Sequence, residues 1–231
     1  MRYLFLACLA VSLFFTGACG ASLNSLNLDL TSQPTYYLDA KVQKSSPQVI
    51  VSPATQPNRR LTALMVPFRM TQQSTEAKAL GRDVSRLFWQ VFLNEQIFPI
   101  IEYDESAQPY RADYSQRQGL QKRAELVIGG QITQYYSGGA QGLSSLSATV
   151  EVWDLATGSL IWSVSQNASL DPTGRNDYIV MSTRRRIPAD PMWMLSTTIA
   201  SDIARVIGGW SNPGHQGSDG EKEENQEPSA F

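Results

Sequence analysis

The sequence has few of the residues that most enzymes use for catalysis and metal binding. Its 231 residues include one histidine, His215, and two cysteines, Cys8 and Cys19, which both lie near the amino terminus. Because His215 lies in the polar carboxyl-terminal tail and no free thiol is expected after processing, we do not expect Ser–His or Cys–His catalysis or the usual zinc and iron ligand sets. The loop "GGAQG" lacks the Lys and Ser or Thr of a phosphate-binding P-loop. The sequence therefore predicts no catalytic residue, no metal site and no cofactor.

The chain also lacks a strong charge of either sign. Its formal net charge is −2 and its pI is about 5.5, so it has no basic signature of nucleic-acid binding. We expect neither a nucleic-acid partner nor a small-molecule substrate. Carboxylates can still do acid–base chemistry, and Glu102, Asp104 and Glu105 cluster after a predicted strand. A solvated loop explains this cluster, and a carboxylate-based cell-wall hydrolase remains an alternative.

A long apolar run is present at the amino terminus. Arg2 precedes an apolar segment from Leu4 to Phe15, and small residues follow up to Cys19. This segment is shorter than the roughly 20 residues that span a bilayer. Its anatomy is that of a secretory signal peptide. We therefore predict an exported protein whose signal peptide covers residues 1–18.

The end of the signal, "TGAC", resembles the lipobox of bacterial lipoproteins, in which the cysteine becomes the lipid-carrying amino terminus. Thr16 departs from the family pattern, which favours Leu at that position. The resemblance implies that Cys19 is lipidated. Loss of Cys8 with the signal leaves Cys19 without a disulfide partner, and an acylated thiol needs none. By resemblance to Gram-negative lipoproteins, the absence of Asp at the position after the cysteine implies sorting to the outer membrane, facing the periplasm. The alternative is an ordinary signal peptide cut after Ala18 or Ala21.

Composition divides the exported chain into three parts. Residues 19–60 are rich in Ser, Asn, Gln, Thr and Pro, which predicts a lipidated amino terminus and a flexible, mostly irregular tether. Within it, "QVIVS" is a candidate short strand that pairs with the edge of the domain. Residues 61–210 predict one folded domain. Residues 211–231 carry five acidic residues and one lysine, which predicts a disordered acidic tail.

Hydrophobic periodicity predicts the order of elements in the domain. Short apolar runs predict strands at 61–68, 97–103 and 124–137, with Gly129–Gly130 as a bulge or close packing point. Residues 74–96 predict a helix that Ser74 can cap. Its apolar face has the spacing of three and four residues and comprises Ala77, Leu80, Val84, Leu87, Phe88 and Val91.

Two further helices are predicted. A weaker one covers 112–123, and a stronger one begins after the polar stretch at 166–187. Asp190 is the expected cap of the stronger helix, Pro191 its first residue and Gly208–Gly209 its end. The predicted fold class is therefore an α/β (α+β) sandwich, with one mixed β-sheet, helices packed on it and a C-terminal helix.

The stretch "TVEVWDLATGSLIWSVS" at 149–165 predicts a β-hairpin. Two alternating runs flank "DLATG", in which Asp154 can accept a hydrogen bond from its own backbone and Gly158 can adopt positive φ. The blades of β-propellers have a similar sequence pattern. A propeller repeats this pattern at a fixed period, however, and it occurs once in this chain. Trp153 and Trp162 are expected to be packing residues.

The order of these pieces resembles one family of bacterial envelope proteins. The segments "LMVPF", "EAKALGRDVSRLFWQVFLNEQIFPIIE", "AELVIGGQIT" and "ATVEVWDLATGSLIWSVS" together are similar to CsgG-like and LpoB-like periplasmic lipoproteins, and to the TolB N-terminal domain fold. The resemblance implies a non-enzymatic binding or adaptor module. Such a module would activate peptidoglycan synthesis or assist envelope assembly, with an envelope protein as partner and acyl chains in the membrane.

The pore-forming branch of this family has two long amphipathic hairpins. Here the loop at 138–142 is short, and Pro172 and Gly174 interrupt the segment at 166–187, so we expect no membrane strands. A subunit of an oligomeric curli-type secretion or export complex remains an alternative function.

Two groups of residues are candidate partner contacts. Arg184, Arg185 and Arg186 precede the last helix, and their alternative interpretation is a solvated loop. Tyr135 and Tyr136 lie beside "SGGAQG" as a possible docking edge, or as a strand face that the tether covers.

Overall fold

The computed structural model describes residues 35–139, 142–171, 175–177, 182–186 and 188–211, so Cys19 and the acidic tail lie outside the described residues. The helices are α1 (Ala77–Asn94), α2 (Ala112–Gln121) and α3 (Pro191–Ser211). The strands are β1 (Thr35–Asp39), β2 (Gln43–Lys44), β3 (Gln48–Val51), β4 (Thr62–Met65), β5 (Arg69–Met70), β6 (Ile100–Tyr103), β7 (Leu126–Tyr136), β8 (Ser144–Asp154), β9 (Ser159–Leu170), β10 (Arg175–Asp177) and β11 (Ser182–Arg186).

One mixed sheet of eight strands organises the domain, which confirms the predicted fold class. Its main path runs β2-β9-β8-β7-β4-β6, with β3 also on β9 and β5 also on β7. Strand β4 is parallel to both β6 and β7, because α1 and α2 serve as crossover connections. Strands β7, β8 and β9 form an antiparallel meander. A separate three-stranded sheet has the order β1-β11-β10.

Helices α1 and α3 pack on one face of the large sheet and on each other. The main core lies between these two helices and the sheet. Phe88 and Phe92 of α1 and Ile199 and Ile203 of α3 are fully buried in it. Inward positions of the strands alternate along each strand, as the two-residue period requires. In the β8–β9 hairpin, Val150, Val152, Trp162 and Val164 therefore lie on the face that the helices cover.

Helix α2 covers a smaller part of the opposite face. Leu64, Val66 and Val127 point to that side and form a second cluster with Tyr110 and Leu155. The polar face of β8 continues beyond this cluster. The sheet is therefore covered fully on one side and partly on the other.

The main predicted elements are present, but their limits differ from the predictions. The hairpin is longer, since β8 begins at Ser144 and β9 ends at Leu170. Helix α3 begins at Pro191, and Asp190 Oδ1 accepts the N–H of Trp193 at 2.9 Å, as predicted. The predicted end at Gly208–Gly209 is wrong, because α3 continues to Ser211.

The buried face of α1 is turned from the predicted one. Gly81 and Ser85 are buried with Phe88, while Leu80, Leu87 and Val91 are half-buried. Ser74 does not cap the helix; its Oγ accepts the N–H of Glu76 at 3.2 Å. Small residues occupy these inward positions of α1 because the helix lies close to the backbone segment that follows β4.

Strands occupy parts of the chain predicted as tether and polar loop. Strand β3 pairs with β9, as predicted for "QVIVS", while β1 and β2 lie in sequence predicted to be irregular. Strands β10 and β11 lie within the polar stretch at 166–187. No helix among the described residues is long and apolar enough to cross a membrane.

Candidate functional site

The structure places the three predicted partner arginines in a strand and not in a loop. Arg184, Arg185 and Arg186 end β11, which pairs in parallel with β1. The carbonyl of Arg186 accepts the N–H of Ala40 at 2.9 Å, and its side chain is exposed. Backbone pairing with β1 therefore determines the local conformation of this run, and its role in partner binding stays a prediction.

The two predicted docking tyrosines do not form one surface. They are consecutive in β7, so their side chains lie on opposite faces of the sheet. Tyr135 is half-buried against the main core, and burial, with the charges of Asp190, Asp83 and Glu76, raises its hydroxyl pKa. Tyr136 is 57% exposed. Only Tyr136 is accessible enough to serve as a docking residue.

The three clustered carboxylates are each held by other side chains. Asp104 is buried, which differs from the predicted solvated loop, and it accepts hydrogen bonds from Ser106 and Gln118. Burial alone would raise the pKa of Asp104, but these contacts and the Lys122 ammonium at 2.9 Å hold it below the usual range. The same Lys122 ammonium also contacts the Glu102 carboxylate, with Nζ 3.1 Å from Oε1.

Glu105 is separated from this arrangement by its own partner, the guanidinium of Arg86. The three carboxylates therefore do not converge on a shared point. Among the residues that the structure describes, no group of three or more metal-ligating side chains comes together.

Of the two hairpin tryptophans, Trp162 is a packing residue, as expected, while Trp153 is half-buried and lies outside both hydrophobic clusters. Trp162 is buried and makes an edge contact with Trp210, with ring centroids 6.2 Å apart. Trp153 Nε1 donates a 2.7 Å hydrogen bond to the Tyr110 hydroxyl, which in turn donates to Glu151. Burial of Tyr110, together with Glu151, raises the pKa of that hydroxyl.

One concave site in the described part of the chain was not predicted from the sequence. It is a groove of about 500 Å³ between the amino-terminal ends of α1 and α2, which we call the basic groove. It lies where the chain leaves the carboxyl ends of β4 and β6, the usual position of ligand sites in parallel sheets. Its lining comprises Phe68, Arg69, Met70, Ala77, Lys78, Gln108, Pro109, Arg111, Asp113, Tyr114 and Arg117.

Two backbone contacts join the walls of the basic groove. The N–H of Tyr110 donates to the carbonyl of Pro67 at 2.8 Å, which joins the loop before α2 to the loop after β4. The N–H of Phe68 donates to the buried Ser85 Oγ at 2.6 Å, which joins the same loop to α1. These contacts hold Arg69 and Arg111, the residues that follow Phe68 and Tyr110, on a rigid frame.

The basic groove carries four cationic side chains and one carboxylate. Asp113 lies 3.7 Å from Arg111 and 3.6 Å from Arg117, and all three side chains are more than 60% exposed. Such exposed ion pairs contribute little stability. Arg69 and Lys78 are exposed and form no ion pair with any carboxylate in the described ranges. The groove therefore favours a negatively charged occupant.

Sequence reasoning missed this site because its residues are dispersed. Arg69 lies on β5, Lys78 on α1, Arg111 directly before α2 and Arg117 on α2, so they are separated by up to 48 positions. The net charge of the chain is near zero, so no basic run marks them. A usable signal was the position of Arg69, which directly follows the predicted strand at 61–68.

No family model matches this chain, and no curated protein matches it. Solved structures with a similar arrangement include the PelC dodecamer from Paraburkholderia phytofirmans, with 13% identity, 71% of this chain and 96% of that chain covered, and a TM-score of 0.44. Lipoprotein GNA1162 from Neisseria meningitidis has 13% identity, coverages of 63% and 97%, and a TM-score of 0.39. The LpoB C-terminal domain from Salmonella enterica has 12% identity, coverages of 48% and 84%, and a TM-score of 0.25.

Bacterial lipoproteins are therefore among the solved proteins that this chain resembles. An LpoB domain is one of the matches, while the CsgG-like part of the resemblance stays a prediction. At these identities and TM-scores the matches assign no activity, assembly or partner to the chain.

Proposed function

We propose that this protein is a lipoprotein of the bacterial outer membrane that faces the periplasm and acts as a non-enzymatic binding module. The observation that carries the proposal is Cys19, the only cysteine outside the apolar run, at the end of "TGAC". Several acyl chains on that residue, at about 0.8 kcal/mol per buried CH₂, anchor a protein stably.

The described strands begin close to this anchor in the sequence. Thr35, the first residue of β1, lies sixteen positions after Cys19. A fully extended chain of that length spans about 55 Å at most. The anchored domain therefore works near the membrane, within a shorter reach than a 40-residue tether would give.

Binding, and not catalysis, fits the polar groups that the structure describes. The carboxylates of Glu102 in β6 and of Asp104 and Glu105 after it contact Lys122, Arg86, Ser106 and Gln118, so none is left as an acid–base pair. Exposed features that a partner could contact include Tyr136 and the basic groove. In this proposal a protein partner in the envelope contacts the Tyr136 edge, in peptidoglycan synthesis or envelope assembly.

Anchoring is tested with the variant C19S. We expect the wild-type protein to fractionate with outer membranes and its first residue to carry acyl chains by mass spectrometry. The C19S protein should lose both properties and keep the wild-type melting temperature, because Cys19 precedes every described element. An unacylated wild-type protein free in the periplasm would contradict the proposal.

Partner binding is tested with a photo-crosslinking amino acid at position 136 of the lipidated protein. The same amino acid at Gln90, an exposed position on α1, is the matched control. We expect one envelope protein to be captured at 136 and not at 90. Equal capture at both positions, or no capture at either, would contradict specific partner binding at the Tyr136 edge. Release of soluble fragments from purified cell wall would favour the hydrolase alternative.

A further inference from the structure

We propose that the basic groove is a binding site for an organic phosphate, a small molecule that carries a phosphoryl group on an apolar or ring-shaped body. The inference uses the groove alone and does not require the lipid anchor or the protein partner.

The charge of the groove matches a phosphate. Arg69, Lys78, Arg111 and Arg117 against Asp113 give the lining a formal charge of +3. A phosphate monoester carries about −1.5 to −2 at neutral pH, more than a single carboxylate. Guanidinium groups bind phosphate oxygens through two parallel hydrogen bonds. Three arginines around one cavity therefore favour a phosphoryl group over a singly charged anion.

The backbone adds to this preference. Ala77 and Lys78 belong to the first turn of α1, and Asp113 and Tyr114 belong to the first turn of α2. Neither helix has a side-chain cap on its first N–H groups. The first turn of a helix presents unsatisfied N–H groups and the positive end of the helix dipole. Two such ends at one cationic cavity stabilise the same kind of charge.

The size and lining of the groove indicate a ligand larger than phosphate itself. A volume of about 500 Å³ lies within the range of small-molecule sites. Its accessible apolar part is formed by Met70, Ala77, Pro109 and the half-exposed ring of Tyr114. The phosphoryl group thus belongs beside the arginines, and the rest of the ligand packs on this apolar part.

Asp113 competes with the proposed ligand. Its carboxylate approaches Arg111 and Arg117 only loosely, at 3.7 and 3.6 Å, so a phosphoryl group can replace it. Removal of this carboxylate without loss of volume should therefore strengthen binding.

Binding is measured by titration calorimetry on the full mature chain in phosphatidylcholine nanodiscs at low salt. The probes are inorganic phosphate and phenyl phosphate, with phenol as the uncharged control. We expect phenyl phosphate to bind at least threefold more tightly than inorganic phosphate, and phenol not to bind. The affinity should fall as NaCl is raised, because the groove is exposed to screening.

Variants assign the binding to the groove. R69Q, R111Q and R117Q should each weaken phenyl phosphate binding about tenfold, the effect of one charge-assisted contact. D113N should strengthen it severalfold. R60Q and K41Q change exposed cations outside the groove and should leave the affinity unchanged. All these positions are exposed, and equal melting temperatures confirm that each variant is folded.

The source of the phosphate is distinguished by repeating the titration in nanodiscs that contain phosphatidylglycerol. A weaker apparent affinity there identifies a lipid headgroup as competitor, and an unchanged affinity indicates a soluble phosphate. The proposal is overturned if neither phosphate probe binds at millimolar concentration, or if binding is the same in R69Q, R117Q and D113N as in the wild type.

Discussion

The ring of Tyr110 lies directly over Gly129 of β7, and a Cβ built on that glycine would be 2.0 Å from the ring carbon Cδ2. On the opposite side of the sheet, a Cβ on Gly130 would be 2.4 Å from the carbonyl oxygen of Thr149. The predicted close packing point is thus present at both glycines. Gly129 matters for the basic groove, because Tyr110 positions Arg111 at its rim.

We predict that G129A destabilises the protein by about 1–3 kcal/mol, the usual cost of overpacking. Urea unfolding followed by tryptophan fluorescence measures the change. The matched control is G208A, where the added Cβ meets Ile97 Cγ2 at an ordinary 3.4 Å. Since alanine is the better helix former, G208A should be neutral or stabilising by up to about 1 kcal/mol. Equal stability of G129A and wild type would contradict the packing role of this glycine.

At the scale of elements, local chemistry accounts for the turn of the β8–β9 hairpin. Asp154 Oδ1 accepts the N–H of Ala156 at 2.9 Å, and its Oδ2 accepts the Thr157 hydroxyl at 3.0 Å. Gly158 follows with φ of +67° and open space around its missing Cβ. Both properties were predicted from "DLATG", because they depend on neighbours in the sequence.

Substitution of Gly158 in this hairpin tests backbone strain alone, because an added Cβ there meets no neighbouring atom. G158A should destabilise the protein by about 1 kcal/mol, since an L-residue with a Cβ is strained at positive φ. G158N should recover part of this loss, because asparagine tolerates the left-handed region better than alanine does. Midpoints of urea unfolding compare the three proteins. If alanine and asparagine give the same loss, backbone strain at 158 is not its cause.

The end of α3 shows the opposite case, in which distant contacts override a local signal. The Gly208–Gly209 pair predicts a helix end, yet α3 continues for another half turn. Trp210 explains this, since its Nε1 donates to the carbonyl of Thr55 at 2.7 Å and its ring packs against Trp162. Neither partner is near Trp210 in the sequence, so the helix end could not be predicted from local residues.

For the molecule as a whole, an ion pair between an exposed lysine and a buried aspartate joins the amino-terminal segment to the last helix. Lys44 of β2 lies 2.7 Å from the buried Asp202 of α3, and Gln166 of β9 donates to the same carboxylate at 2.7 Å. Burial would raise the pKa of Asp202, but the hydrogen bonds from Lys44 and Gln166, with the charges of Lys44 and Arg205, lower it. The pair therefore stabilises the fold while Asp202 is ionised.

The sign of this shift predicts an acid-sensitive contribution to stability. The folded pKa of Asp202 lies below the unfolded value of about 3.9, so the contribution is complete above that pH and lost as the pH falls through the folded pKa. D202N should cost about 1–3 kcal/mol at pH 7, the usual value of hydrogen bonds to a charged group. The difference between D202N and wild type should shrink below about pH 4.

Urea unfolding at pH 7, 5 and 3.5 measures this difference. D113N is the matched control, since its carboxylate forms only exposed ion pairs and should change stability by less than about 1 kcal/mol at each pH. A D202N effect that is the same at pH 3.5 and pH 7 would show that ionisation of Asp202 does not stabilise the fold.

The sequence by itself determined the features that depend on near neighbours. The hairpin turn at Asp154 and Gly158, the start of α3 at Asp190 and Pro191, and the alternation of the strands all follow from spacing along the chain. The mixed sheet with its helices follows from the order of these elements. The predicted signal peptide and lipobox cysteine likewise depend on one contiguous stretch of sequence.

Only the tertiary structure decided how separate segments meet. The inward turn of α1 onto Gly81 and Ser85, the pairing of Lys44 with Asp202, and the strands β1, β10 and β11 require partners far away in the chain. The basic groove belongs to this group as well, because parallel crossovers place Arg69 beside Arg111 although 42 positions separate them. Periodicity reports which side of an element is buried, but the residues that meet across elements depend on the packing of the whole sheet.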